Sequence, residues 1–312
     1  MRSILLYIVS WCLFCLNANA QKQVFTEGYL KYSITIGDKT MLKLLEFVAK
    51  DKTPSMASFE KAKSILSKEE IDHIQNLTQK NPSIGMSLLI LPYFGDDIWI
   101  QKDKVLAKAK AFTYSIENYW DQSSGFGKCY LVSNVHPEKN LTYDYDKNYT
   151  ENNKVQTYIG SDKFEIQRTN EKVTIAGFEA YKTIYTRKSS VTAHNLPYKL
   201  EVYESPQMSQ AVNFSHPYYT EEENGIVKIN AYLSKDAPPL TYELVKAENK
   251  NLSPSQMNIH TSKNVFPTKT LLDQATLGFQ VLGLMMDTGQ QQAENEDEPT
   301  TVNNLKKIEK LS

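Results

Sequence analysis

The chain has 312 residues, 41% of them hydrophobic, with 35 Lys and Arg against 36 Asp and Glu. This is ample apolar material for a large core. The charge balance excludes the clustered positive face that nucleic-acid binding requires, and 11% aromatics exclude a mostly disordered chain.

Residues 1–20 have the three parts of a secretory signal. Arg2 gives the positive start, Ile4 to Leu16 is apolar apart from Ser10, and Ala18-Asn19-Ala20 sets small residues where a signal peptidase reads. The run is short for a bilayer span. Neither Cys12 after Trp11 nor Cys15 after Phe14 fits a lipoprotein signal. The expectation is cleavage after Ala20 and export, with no transmembrane span in the mature chain. Cys129 then remains alone, without a disulfide partner, and reads as a buried small hydrophobe.

Leu30, Tyr32, Ile34 and Ile36 alternate with Lys31, Ser33 and Thr35, the period of a half-buried strand. Gly37-Asp38 then signals a turn. Residues 41–80 change period: Phe59, Ala62, Ile65 and Leu66 recur at helical spacing, and Ser67 with Glu70 makes a capping box before Ile71, Ile74 and Leu77. Asn81-Pro82 stops that helix.

From residue 84 to about 246 the chain reads as successive strands and turns, beginning with a strand over 86–91. The clearest one-sided strands are Tyr198/Leu200/Val202, Val227/Ile229/Ala231/Leu233 and Leu240/Tyr242/Leu244, with Lys199, Glu201, Lys228, Asn230 and Glu243 opposite. One packed face and one wet face indicate antiparallel sheet, and many short strands indicate a sandwich or barrel.

Residues 268–286 return to helical period. Leu271, Leu272, Ala275, Phe279, Leu282 and Met286 form a stripe that Leu277, Val281, Leu284 and Met285 widen, a pattern that demands burial. Residues 287–312 have an acidic, disordered composition, ending in a short amphipathic piece over 302–311. The expected organisation is a signal at 1–20, an antiparallel domain over 21–260 with a helical insertion at 41–80, an apolar helix at 268–286 and a tail.

Chemistry-bearing motifs are sparse. His73, His136, His194, His216 and His260 have no pair at metal-binding spacing, so no metal ligands or other cofactors are assigned. There is no G-x-S-x-G elbow, and Gly125-Phe126-Gly127 reads as the far side of a hairpin turn, not a dinucleotide loop. Of the carboxylate pairs, Asp96/Asp97 point to opposite faces of a strand and cannot act together, while Asp144/Asp146, which share a face, and Glu221–Glu223 read as solvated. No catalytic residue is assigned.

Three segments resemble the GLPGLI-type and DUF4412-like exported proteins of unknown function. Gly28-Tyr29-Leu30-Lys31-Tyr32 is similar to their opening strand, Pro92-Tyr93-Phe94-Gly95-Asp96-Asp97 to a turn before the next, and residues 173–182 to their I-x-G-[YF]-x-x-x-K segment. The name-giving Gly-Leu-Pro-Gly is missing near Asn224-Gly225, Tyr203 stands where the family has tryptophan, and residues 268–312 have no counterpart. The resemblance implies a mainly β, α+β fold: a curved antiparallel sheet forming an incomplete barrel like that of the lipoprotein carrier LolA, with helices over its open or concave side. It also implies location in the periplasm or envelope of a Gram-negative bacterium.

Two readings of function follow, with an enzyme ranked below both. In the first, the inner wall binds a lipid, acyl chain or other apolar ligand through Leu30, Tyr32, Ile34, Leu200, Val202, Ile229, Ala231, Tyr242 and Leu244. In the second, the interior is packed and the protein is a structural adaptor for an envelope protein partner. An open apolar cavity of several hundred Å³ favours carriage, and a filled interior favours the adaptor.

Overall fold

The computed structural model describes residues 24–51, 54–148, 157–192, 196–220 and 222–289. The signal segment, His194, Glu221 and the tail after Gly289 lie outside the described residues.

Period-2 alternation builds the first strand, β1 (Glu27–Ile36), which buries Leu30, Tyr32, Ile34 and Ile36. Asp38 then caps α1 (Lys39–Val48), accepting hydrogen bonds from the Thr40 and Met41 amides at 3.1 and 2.9 Å. Met41, Leu44, Leu45 and Val48 form one buried stripe of that helix. Ser55 caps α2 (Met56–Lys63), and the Ser67/Glu70 capping box opens α3 (Lys68–Lys80), which buries no residue.

The expected strand over 86–91 is instead helical. Pro82, at the first position of α4 (Pro82–Ile90), has a ring already set for helix and no amide hydrogen to lose. A short apolar run without alternation cannot tell strand from buried helix. The insertion therefore extends from residue 39 to residue 90.

The following strands are β2 (Gly95–Gln101), β3 (Lys104–Lys110), β4 (Tyr114–Asp121), β5 (Phe126–Ser133), β6 (Asn140–Asp146) and β7 (Thr157–Ile159). After them come β8 (Phe164–Ile175), β9 (Phe178–Arg187), β10 (Lys199–Ser205), β11 (Tyr218–Thr220), β12 (Gly225–Tyr232), β13 (Leu240–Asn249) and β14 (Val265–Phe266). Twelve of these make one sheet in the order β14-β6-β5-β4-β3-β2-β1-β13-β12-β10-β9-β8. Within it only the β14–β6 edge pair is parallel, and the sheet does not close into a barrel. β7 and β11 form a separate two-stranded parallel ribbon.

The register puts one set of side chains on a single inner face across most of the width. Ile98 opposes Ala107, Ala107 opposes Asn118, and Asn118 opposes Cys129; on the other side Ile34 opposes Tyr242, and Tyr242 opposes Ile229. Three pieces of chain cover that face. The helices α1–α4 pack on Ile34, Leu200, Val202, Ile229, Ala231 and Tyr242. A 3-10 turn, Gln210–Ser215, and its neighbour Met208 pack with Leu30, Tyr32, Ile98, Ile100 and Leu244. At the β4–β6 end the cover is α5 (Leu271–Met285), through Leu277 and Leu284.

Residues 250–264 carry the chain from β13 to the far edge. The Leu252 amide donates to Glu27 at 3.1 Å, the His260 amide to Glu117 at 2.9 Å, and the Ser262 amide to the Thr142 hydroxyl at 2.7 Å.

Asp144 and Asp146 are exposed, opposite inward Tyr145, as the alternation requires. Tyr145 lies across Gly127, where an added Cβ would meet its ring at 2.1 Å. Cys129 is buried, and its thiol is pushed up to about 12 by that burial.

Leu200 is fully buried in the wall beneath the helices. Leu200→Ala is expected to cost about 2–5 kcal/mol in chemical denaturation. A cost under about 1 kcal/mol would mean the wall is loosely packed there.

Candidate functional site

All nine residues assigned to the inner wall lie on it. Leu30, Leu200, Val202, Ile229 and Ala231 are 0% exposed, and Tyr32, Ile34, Tyr242 and Leu244 no more than 5%. Seven of them are plain packing; Leu30 and Leu244 meet the 3-10 segment and Ile34, Leu200, Val202, Ile229 and Ala231 meet the helices. The other two, Tyr32 and Tyr242, belong to a polar patch that makes this wall unusual.

Asp96 is the centre of that patch. In β2 it shares its face with Ile98 and Ile100, and only 6% of it is exposed. Lys31 opposes Asp97 across the β1–β2 ladder, so Asp96 sits beside the Tyr32 end of β1. Its backbone pairs with Ala109 in the β2–β3 ladder, but its carboxyl makes no hydrogen bond to any described residue and keeps only slight contact with solvent. Burial, and secondarily the charge of Asp97, pushes its carboxyl up to about 8, so at neutral pH it is mostly protonated. Asp97 points the opposite way and accepts a hydrogen bond from the Tyr29 hydroxyl.

Two tyrosines, Tyr32 and Tyr242, lie close to this acid, and further tyrosines lie close to Tyr242. Tyr242, whose hydroxyl also makes no hydrogen bond to a described residue, is held far above the usual phenol range by burial, with Tyr218, Tyr93, Asp96 and Tyr114 adding to the effect. Tyr218 comes from the β7–β11 ribbon, and burial pushes it up to about 12. Tyr93, also pushed up to about 12 by burial, shares a 3.2 Å hydrogen bond with Ser87 of α4. Tyr114 donates to the carbonyl of Ile90 at the end of α4. Tyr32 donates to the Ile226 carbonyl at 2.7 Å, and its ring meets buried His216 edge-on at 5.0 Å. Burial drives His216 down to about 4, so it is neutral at pH 7.

The patch is thus a neutral acid and several hydroxyls set in an apolar wall, with α4 on top. Among the described residues the fully buried side-chain oxygen without a hydrogen-bond partner is that of Thr220, two residues from Tyr218, and a group of that kind costs about 1–3 kcal/mol. Groups of this kind concentrate where a protein binds something.

Asp96 is legible in principle, because it continues the Ile98/Ile100 alternation, but the turn signal over residues 94–97 masks it. His216, standing before a proline, reads as loop, and nothing in its neighbourhood signals burial.

Glu222 also departs from the expected solvated acid: it is 0% exposed. It accepts hydrogen bonds from the Tyr185 hydroxyl and, at 2.9 Å, from Arg168, which also lies 3.7 Å from Glu204. Burial and the Glu222 charge raise Glu204. Each carboxylate here has partners, so the cluster ties the chain before β12 to the β8–β10 edge.

Two cavities, of about 440 and 650 Å³, are open grooves elsewhere. They share Gln101 and Lys104 and are lined by the β2–β3 and β4–β5 hairpins and residues 254–261. No described helix is long and apolar enough to cross a membrane.

No family model matches the chain, and no curated protein matches it. Among solved structures, it is similar to that of PNGF-II at 12% identity and TM-score 0.35, over 60% of this chain and 30% of the other. An uncharacterised conserved protein from Thermus thermophilus is similar at 10% identity and TM-score 0.26, over 53% and 83%. The chain spans under a third of the PNGF-II chain, and neither likeness bears on activity.

As pH rises above the ordinary carboxyl value of 3.8, the unfolded chain releases the Asp96 proton while the folded chain keeps it until about 8. Across that window this group costs the fold about 1.4 kcal/mol per pH unit. Asp96→Asn escapes the loss. Its stability relative to the parent is expected to climb between pH 5 and pH 8 and then level off. Denaturation curves that stay parallel would mean Asp96 is not held neutral.

Proposed function

We propose that this is an exported, non-enzymatic envelope protein that binds an amphipathic ligand on its inner wall, with the apolar wall taking the ligand's chain and the Asp96–Tyr242 patch its polar end. The observation that carries this reading is an acid whose carboxyl bonds no described residue, set beside tyrosines in a largely apolar buried face. Its protonated carboxyl donates a hydrogen bond, the tyrosines donate or accept, and both suit an ester, hydroxyl or carboxyl head group. Each methylene buried on the wall contributes about 0.8 kcal/mol.

In the described structure the wall is closed, so the ligand must take the place of a cover. α4 is that cover: it lies on the patch, and it begins at Asn81-Pro82 and ends before Pro92. The resemblance to GLPGLI-type proteins and to the incomplete barrel of LolA belongs to the same proposal, as does the signal at residues 1–20. The filled wall favours the second reading, a packed adaptor that works through its surface, and one experiment separates the two.

Purified mature protein, stripped with detergent, is titrated with palmitate and with lysophosphatidylcholine while the thermal midpoint is followed. Carriage predicts a rise of about 4 °C or more for one of them, equivalent to roughly 1–2 kcal/mol of linkage. It also predicts that Asp96→Leu reduces that rise by half or more. No rise with either probe, together with an organic extract of the untreated protein free of lipid by mass spectrometry, would favour the adaptor.

A further inference from the structure

The helix α5 has two apolar faces and uses one. Leu277 and Leu284 are buried on the sheet, with Val281 and Met285 half-buried beside them. Around the other side Leu271 is 84% exposed, Leu272 76%, Phe279 76%, Leu282 49% and Met286 41%. At 100° per residue these five fall within one third of the circumference, opposite the seated face. The stripe holds no charged residue; Asp273 is the only charged side chain in the helix, and it serves the capping box with Thr270. Gly278 and Gly283 have nothing within 4 Å of where a Cβ would stand, so a partner can approach the backbone there. So many large apolar side chains on one free surface call for an occupant.

We propose that residues 302–311 of this same chain dock on the outer face of α5. Val302, Leu305, Ile308 and Leu311 recur every third residue, which at helical period gathers them on one half of a helix. Lys306, Lys307 and Lys310 fall on the other half, where they meet water. Ten residues at 1.5 Å rise cover about 15 Å, within the roughly 22 Å length of α5. The connecting residues, 290–301, can span up to about 40 Å, ample for a return along the helix. The chain leaves α5 through Gly289 at φ +72°, a conformation suited to a sharp turn. A tethered segment also has a high effective concentration, so a modest apolar contact suffices.

Two measurements on the mature chain test this. The first compares the full chain with one truncated after Gly289, using an apolar fluorescent dye. Truncation is expected to raise dye fluorescence roughly threefold, and adding Phe279→Ser and Leu282→Ser to the truncated chain is expected to abolish the rise. The second is disulfide trapping under mild oxidation. The pair Leu282→Cys/Ile308→Cys is expected to close within one chain, at monomer mass, at least several-fold faster than Leu282→Cys/Lys306→Cys. The proposal is overturned if truncation leaves the dye signal unchanged or if both cysteine pairs close at equal rates. It is also overturned if the trapped species is a dimer, which would make a second copy the occupant.

Discussion

A sheet of twelve strands that is apolar on one face and does not close on itself leaves the whole width of that face to be shielded from water. The fold's other features follow from this demand. No single helix is long enough, so cover comes from three separated parts of the sequence: α1–α4 after the first strand, the 3-10 segment before β12, and α5 after the last central strand. The long crossing of residues 250–264 makes sense in the same terms. The chain ends its central pairing at β13, while Cys129, Leu131, Leu141 and Tyr145 at the far end still need a cover. Glu27, Glu117 and Thr142 hold that crossing strand by strand.

Legibility in the sequence tracks how strongly each segment is forced to choose a face. β1, β10, β12 and β13 alternate because one side is packed and the other wet, and the inner-wall residues are readable from that alone. The irregularities are not readable. β12 shifts register near Val227, so Ile226 and Val227 are both buried, and β13 shifts near Val245, which is half exposed. A bulge of this kind depends on the neighbouring strand, which local pattern does not report.

Helices with little contrast between faces are the hardest. α4 is apolar nearly throughout, so its six-residue core looks like a strand. α5 is apolar on two faces, and its most regular stripe, from Leu271 to Met286, faces solvent while the interrupted set of Leu277, Val281, Leu284 and Met285 is seated. Periodicity detects that a face exists; with two apolar faces it cannot say which one meets the sheet.

The polar patch and its cover are best understood as a compromise between stability and access. A wall built only for packing would carry a hydrophobe at position 96 and avoid the cost of desolvating an acid. Over the patch, α4 buries Ile84, Ser87 and Leu88 and is tied by Tyr114 to the Ile90 carbonyl and by Tyr93 to Ser87. α1 buries four large apolar side chains, whereas α3 buries none. Counted in buried apolar side chains, the cover is stronger at α1, with four, than at α4 over the patch, with Ile84 and Leu88. Local opening is cheapest where few apolar contacts must be broken, and here that place coincides with the one part of the wall that gains from meeting a hydrogen-bonding group. The same coincidence means that filling position 96 with a hydrophobe would tighten the cover and remove the reason to open it.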